Sequence, residues 1–137
     1  MQVERAPISV CLILKNEPLV EKCLLSIRPY VKEIVVVDTG STDGSYKIAK
    51  KYADICIKYT DCNDPETGLI ENFSQARQKS FDLATQPFTL WMDTDDILAG
   101  AENLLSITKE YAEEAKRHAV GIMFPYEYSY EIGRAHV

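Results

Sequence analysis

Three carboxylates fall within four residues at Asp93-Thr94-Asp95-Asp96, directly after the run Phe88-Thr89-Leu90-Trp91-Met92, which reads as a buried strand. Carboxylates repel one another and are costly to desolvate. Three at the mouth of a hydrophobic strand demand positive charge, and a hard divalent cation, which takes oxygen ligands, supplies it. Magnesium and manganese keep several waters, use one or two protein carboxylates and take further ligands from phosphates. An Asp-x-Asp at the C-terminal end of a strand therefore points to a site for a metal-bound diphosphate. The competing reading is a solvated acidic turn that caps the helix after it, since Asp is a good N-cap. For Asp96 alone the cap is preferred; for Asp93 and Asp95 together, the metal.

The elements that must hold these carboxylates are legible from apolar spacing. Ile8 to Leu14 is a near-continuous apolar run, as in strands buried on both faces of a parallel sheet. Lys15-Asn16-Glu17 breaks it. Pro18 suits the first turn of a helix, Val20, Cys23, Leu24 and Ile27 recur at helical spacing, and Pro29 ends the segment. Ile34 to Val37 is β-branched throughout and predicts a second strand. In Asp38-Thr39-Gly40-Ser41-Thr42-Asp43-Gly44, Gly40 permits a tight turn, and Ser41 or Thr42 can cap a helix with Tyr46, Ala49 and Tyr52 facing inward. Ile55 to Tyr59 alternates and reads as a strand nearer the sheet edge. The polar stretch from Thr60 to Glu71 is long for a connection. Its Asp61, Asn63 and Asp64 fail the EF-hand spacing, so a solvated loop is expected.

Asn72 to Ala84 predicts a helix with Phe73, Ala76, Ser80, Phe81 and Ala84 on its inner stripe. Arg77 shares that side and needs an anion there, either a protein carboxylate or a ligand phosphate. Ala101, Leu104, Leu105, Thr108, Tyr111, Ala112 and Ala115 define another amphipathic helix, and Ala119 to Phe124 a fifth strand. The order predicts an α/β, Rossmann-like, mostly parallel sheet with flanking helices. Ligands in such sheets bind beyond the carboxyl ends of the strands. Lys15 to Glu17, Asp38 to Asp43 and Asp93 to Asp96 all fall at that rim.

The bulk properties agree. The chain has 137 residues, 46% hydrophobic and 26% charged, enough for one domain with a real core. A net charge of −6 argues against a nucleic-acid partner, which selects a basic face. The four cysteines, Cys11, Cys23, Cys56 and Cys62, form no C-x-x-C pair, so buried free thiols are expected rather than structural zinc. No apolar run approaches the ~18 residues of a transmembrane helix, and a cytoplasmic location is the expectation.

Together these segments resemble a family 2 glycosyltransferase. The resemblance rests on Ile8 to Glu17, on Ile34 to Ser45, on Phe73-Ser74-Gln75-Ala76-Arg77-Gln78 against the family's F-x-x-A-R-N, and on Trp91 to Asp96 against its D-x-D motif. Gln78 replaces the usual Asn. The resemblance implies a GT-A fold, a divalent metal (Mn2+ or Mg2+), and a nucleotide-diphosphate sugar donor, a UDP-sugar being the favoured one. It implies that Asp38 contacts the base or ribose, that Arg77 lies near the nucleotide, and that Asn16 and Glu17 line the nucleotide site. Asp93 would approach the ribose or the metal shell, and Asp95 would bind the metal. The acceptor, whether glycan, lipid or protein, is not implied.

The family's catalytic base is an Asp or Glu well downstream of D-x-D. No such motif follows Asp96, and neither Glu127 nor Glu131 sits in a recognisable version of it. The expectation is a donor-binding domain over residues 1–130, part of a longer enzyme. Residues 131–137 are expected to be a non-native or disordered tail, and His136 has no role. Two other functions compete. A non-catalytic nucleotide-sugar-binding module would share the site and form no product. A magnesium-dependent phosphohydrolase of the haloacid dehalogenase type also places D-x-D after a strand, but after the first strand, and it prefers Thr or Val where this chain has Ile97.

Overall fold

A computed structural model of the protein describes residues 4–117 and the backbone of 130–131 and 134–135. Strand β1 (Ala6–Leu14) is followed by helix α1 (Val20–Ile27), β2 (Val31–Asp38), α2 (Ser45–Tyr52), β3 (Ile55–Lys58), α3 (Phe73–Leu83) and β4 (Phe88–Trp91). A 3-10 turn (Ala101–Asn103) leads into α4 (Leu104–Arg117). The strands form one sheet in the order β3-β2-β1-β4, with every pairing parallel. The α/β architecture read from the sequence is the one observed, with β3 at an edge as its alternation indicates. Two short strands, β5 (Tyr130–Glu131) and β6 (Arg134–Ala135), pair antiparallel. The fifth strand expected at residues 119–124 lies outside the described residues.

β1 and β2 are the centre of the sheet because their residues tolerate burial on both faces. Ile8, Val10, Leu12 and Leu14 of β1 join Ile34 and Val36 of β2 in a core with Val20, Cys23, Leu24 and Ile27 of α1 and Leu104 of α4. The opposite face carries Ser9 and Cys11, against α3. Only Ala76 and Ser80 of α3 are buried, and these small side chains let the helix approach until the Ser80 carbonyl accepts from the Cys11 thiol at 3.6 Å. Cys11, Cys23 and Cys62 are buried free thiols, and Cys56 is a half-buried one.

Two burial expectations are corrected. Phe73, placed on the inner stripe of its helix, is 59% exposed. It is the first residue of α3, whose start lies at the rim where the strands end, so no sheet lies beneath it. β4 is not a fully buried strand: its residues alternate half-buried and exposed, and Trp91 is 46% exposed. Among the described residues β4 pairs only with β1, so Phe88 and Leu90 pack on the core while Thr89 and Trp91 face the other way.

A buried carboxylate fixes where β4 begins. Glu33, 8% exposed, accepts from the Ser9 hydroxyl at 2.6 Å, from the Thr85 hydroxyl at 2.7 Å and from the Thr85 amide at 2.8 Å. The Gln86 amide donates to Ser9 Oγ at 3.0 Å. One side chain thus ties β1 and β2 to the segment that enters β4. Desolvation pushes the Glu33 pKa up, but the hydrogen bonds from Ser9 and Thr85 outweigh it and hold the group below its ordinary 4.5. A carboxyl with a lowered folded-state pKa contributes stability above its unfolded value and loses it as pH falls through the folded one. Glu33→Gln puts an NH2 where an acceptor is needed and is expected to cost about 1–3 kcal/mol at pH 7. Urea denaturation at pH 7 and again well below 4.5 checks this: the gap between variant and parent should narrow in acid.

Candidate functional site

The parallel register sets the site. Leu14 lies opposite Asp38, and Cys11 opposite Trp91, so the ends of β1, β2 and β4 open on one rim. Asn16 and Glu17 follow β1, Asp38 closes β2, and Asp93 to Asp96 follow β4. The sequence-predicted residues are therefore brought to the same end of the sheet. Arg77 sits on α3 behind that end.

At the end of β4 one carboxylate oxygen each from Asp93, Asp95 and Asp96 lies within 4.8 Å of the other two. Asp96 Oδ2 accepts from the Asp93 amide at 3.1 Å, and its own amide donates to the Asp93 carbonyl at 3.1 Å. Asp96 therefore closes the acidic turn. It does not cap a helix, as one reading of the sequence had it, because the next helical residue is Ala101. Partial burial, then the charges of Asp96 and Asp95, raise the Asp93 pKa, and Arg77 opposes them. Like-charged oxygens at this spacing suit a hard cation that keeps its remaining positions for water and phosphate. Asp93 and Asp95 form no salt bridge among the described residues.

Of the two partners weighed for Arg77, a protein carboxylate does not pair with it among the described residues. Its guanidinium lies over the Trp91 ring, 3.6 Å from the centroid, and Nε is buried with no hydrogen bond. Asp38, 1% exposed, uses Oδ1 to accept from the Gly40 and Ser41 amides, both at 2.8 Å, while Oδ2 is buried without a partner. One oxygen thus builds the turn and the other has no protein partner. Buried polar atoms are normally paired, and the atoms left without a partner are Asp38 Oδ2, Arg77 Nε and, at the C-terminal end of α1, Arg28 Nε.

The loop ends are locked together by side chains. Asn16 accepts from the Thr42 amide at 2.7 Å and donates its own amide to Ser41 Oγ at 2.9 Å. Its φ of 46° is left-handed, a conformation that Asn tolerates. The Glu17 amide donates to Ser45 Oγ at 3.0 Å, and Glu17 Oε2 accepts from the Leu19 amide at 2.9 Å, leading into α1.

Two positioning contacts were not foreseen as such. Asn63 Nδ2 donates to the Thr39 carbonyl at 2.7 Å, and Lys15 Nζ to the Gly68 carbonyl at 2.7 Å. They draw the 60–71 loop against the turn after β2, where a cleft of about 620 Å3 is lined by Thr39, Gly40, Thr60, Asn63, Pro65 and Gly68, among others. The loop is more than a solvated connection: Cys62 is 1% exposed, and Asn63 bridges Ile70. The only available signal was Asn63 itself, a residue whose amide readily bonds to nearby backbone.

This arrangement, a parallel sheet with an acidic strand end beside a turn-bound Asp, is of the GT-A type. Residues 9–135 match the family model described as glycosyl transferase family 2, and the chain belongs to that family. It is 35% identical over 94 residues to a TPR repeat-containing protein of Synechococcus elongatus, an alignment covering 68% of this chain and 21% of that protein. It is 33% identical over 91 residues to the SPbeta prophage-derived glycosyltransferase SunS of Bacillus subtilis, covering 66% and 20%. The mannosyltransferase PcManGT of Pyrobaculum calidifontis, solved with GDP-Man and Mn2+, superposes with a TM-score of 0.61 at 24% identity, over 80% of this chain and 33% of that one. The chain thus spans about a fifth of the curated relatives it matches. Among the described residues no helix is long and apolar enough to cross a membrane.

Asn16 offers a direct test of the rim. Asn16→Ala loses the bond to Thr42 and puts a Cβ-bearing residue without a local hydrogen bond in the left-handed region. The expected cost is roughly 2–3 kcal/mol, from about 1–2 for the backbone and about 1 for the hydrogen bond. Asn16→Gly keeps the backbone freedom and should cost less. Urea denaturation of the two variants checks the order.

Proposed function

We propose that this chain binds a nucleoside-diphosphate sugar at the carboxyl rim of its sheet, through a divalent cation, and so forms the donor site of a glycosyltransferase. The observation that carries the reading is the cluster of Asp93, Asp95 and Asp96 oxygens at the end of β4. Asp95 is the principal metal ligand and Asp93 the second, with Mn2+ or Mg2+ as the ion. A cation bound there supplies Lewis-acid stabilisation of the departing nucleoside diphosphate.

The chain's own residues bind and orient the donor. Asp38 Oδ2 accepts from a base N–H or a ribose hydroxyl, which would satisfy an oxygen that is otherwise buried unpaired. Arg77 donates to the nucleotide. Asn16 and Glu17 shape the nucleotide side of the rim. The Asn16 amide and side chain are already committed to Ser41 and Thr42, and the Glu17 amide and side chain to Ser45 and Leu19, so the donor meets a pre-formed wall. The proposed donor is a UDP-sugar. The GDP-Man named for the Pyrobaculum neighbour makes a GDP-sugar the first competitor to assay.

A non-catalytic nucleotide-sugar-binding module is the second reading. It would use the same carboxylate cluster and form no product. Acceptor-dependent product separates the two. The donor site itself is tested by titrating Mn2+ and UDP, alone and together, into the parent protein, Asp95→Asn and Asp93→Asn. Loss of a residue that merely supports a metal ligand costs ~10–100-fold in affinity, so loss of a direct ligand in Asp95→Asn should weaken Mn2+-dependent UDP binding at least about tenfold. Asp93→Asn should weaken it less. Equal binding by the parent and Asp95→Asn removes Asp95 from the role.

A further inference from the structure

A guanidinium beside three carboxylates should collapse onto them. Coulomb attraction between an Arg and an Asp at contact is strong in a partly desolvated site, and Arg pairs with carboxylates in a bidentate fork. Arg77 lies over the ring of Trp91, two residues before Asp93. Yet among the described residues it forms no ion pair with Asp93 or Asp95. What holds it is the Trp91 ring, 3.6 Å from the guanidinium carbon.

We propose that Trp91 is a positioning residue of the donor site: its indole holds the Arg77 guanidinium face-on, away from the metal-binding carboxylates and with its N–H edge free for an oxygen of the nucleoside diphosphate. The inference rests on the donor-site reading above.

The geometry of stacking makes this specific. A ring beneath the guanidinium covers its flat face and uses none of the in-plane N–H donors. One side of the cation is desolvated by the indole and held in one plane, while the edge keeps its full hydrogen-bonding capacity. Nε is buried without a partner, so the donors offered to a ligand are those of the two Nη atoms. The sequence places the two parts so that they must move together. Trp91 is the last residue of β4, two positions before Asp93, so the strand that presents the carboxylates also presents the platform. Its exposure, 46%, fits a residue whose outer face serves a neighbour rather than the core. An aliphatic residue would give β4 the same alternation but no π-face for the cation.

Trp91 is the chain's single tryptophan, so its emission reports the stack without any ligand. Acrylamide quenching is measured on the parent, on Arg77→Ala and on Arg77→Lys, which keeps the charge and loses the planar fork. Both variants should uncover one ring face and raise the quenching constant. Unchanged quenching in both overturns the proposal. Calorimetric titration of UDP in saturating Mn2+ then compares the parent with Trp91→Phe, Trp91→Leu, Arg77→Ala and the double variant Arg77→Ala with Trp91→Leu. Trp91→Leu should weaken binding about 3- to 30-fold, the range of a cation–π contact. Trp91→Phe should recover much of the loss. In the Arg77→Ala background, Trp91→Leu should cost nothing further. A loss that is the same in both backgrounds overturns the proposal and leaves the donor site standing. Absence of Mn2+-dependent binding of both UDP and GDP by the parent overturns the donor-site reading, and the proposal with it, whatever the quenching shows.

Discussion

The structure depends on β1 being paired on both edges. Every backbone N–H and C=O of a strand buried on both faces must find a partner, and here β2 and β4 supply them in parallel. Parallel pairing cannot be made by a tight turn, so each return passes through a helix and each strand ends at the same rim. Lys15 to Glu17, Asp38 to Asp43 and Asp93 to Asp96 are scattered along the chain, and this one constraint collects them. Glu33 reinforces it from beneath. Its hydrogen bonds to Ser9 and Thr85 fix the entry to β4, and with it the place where the acidic turn emerges. A buried carboxylate satisfied by neutral donors is an economical lock, because it needs no buried cation.

The electrostatics of the rim select the kind of ligand it can hold. Cys23, on α1, lies beside the acidic turn, where its thiol donates to the Asp93 carbonyl at 3.6 Å. Burial, followed by the charges of Asp96, Asp95, Asp93 and Glu17, pushes its pKa up to about 12. The grouped donors at this turn are the carboxylate oxygens of Asp93, Asp95 and Asp96, and oxygen donors suit a hard cation. The same field would draw in Arg77, and the Trp91 ring competes with it.

What the sequence disclosed follows from which forces act locally. β1 and β2 were legible because long apolar and β-branched runs have one stable environment, the middle of a parallel sheet. The acidic turn was legible because three adjacent carboxylates have few structural uses. β4 was misread as fully buried because Phe88 to Met92 would look the same in the centre of a sheet or at its edge; only the neighbours decide. Phe73 was misplaced for a related reason. Helical periodicity tells which face a residue is on, not whether the sheet extends beneath it. The partner of Arg77 could not be read at all, since Trp91 is fourteen positions away and on another element, and no spacing rule links them.

The rim's polar groups divide their capacity between fold and ligand. Asp38 gives one oxygen to the turn after β2 and keeps the other unpaired. Asp96 uses Oδ2 to close the turn that aims Asp93 and Asp95. Asn16 and Glu17 join the end of β1 to the start of α2. Arg77 gives its face to Trp91 and keeps its edge. In each case the atom left over is held in place by the atom already bonded. Ordering a flexible loop on binding costs roughly 0.5–1.5 kcal/mol for every side chain immobilised. A site whose side chains are already anchored to backbone avoids most of that cost. In the proposed donor site, binding would then have to overcome chiefly the repulsion within the acidic cluster, which a divalent cation would remove and a neutral ligand would not. The same division explains why so many of these residues are Asp and Asn. Their short side chains can bond the neighbouring backbone and still present a second polar atom to the rim.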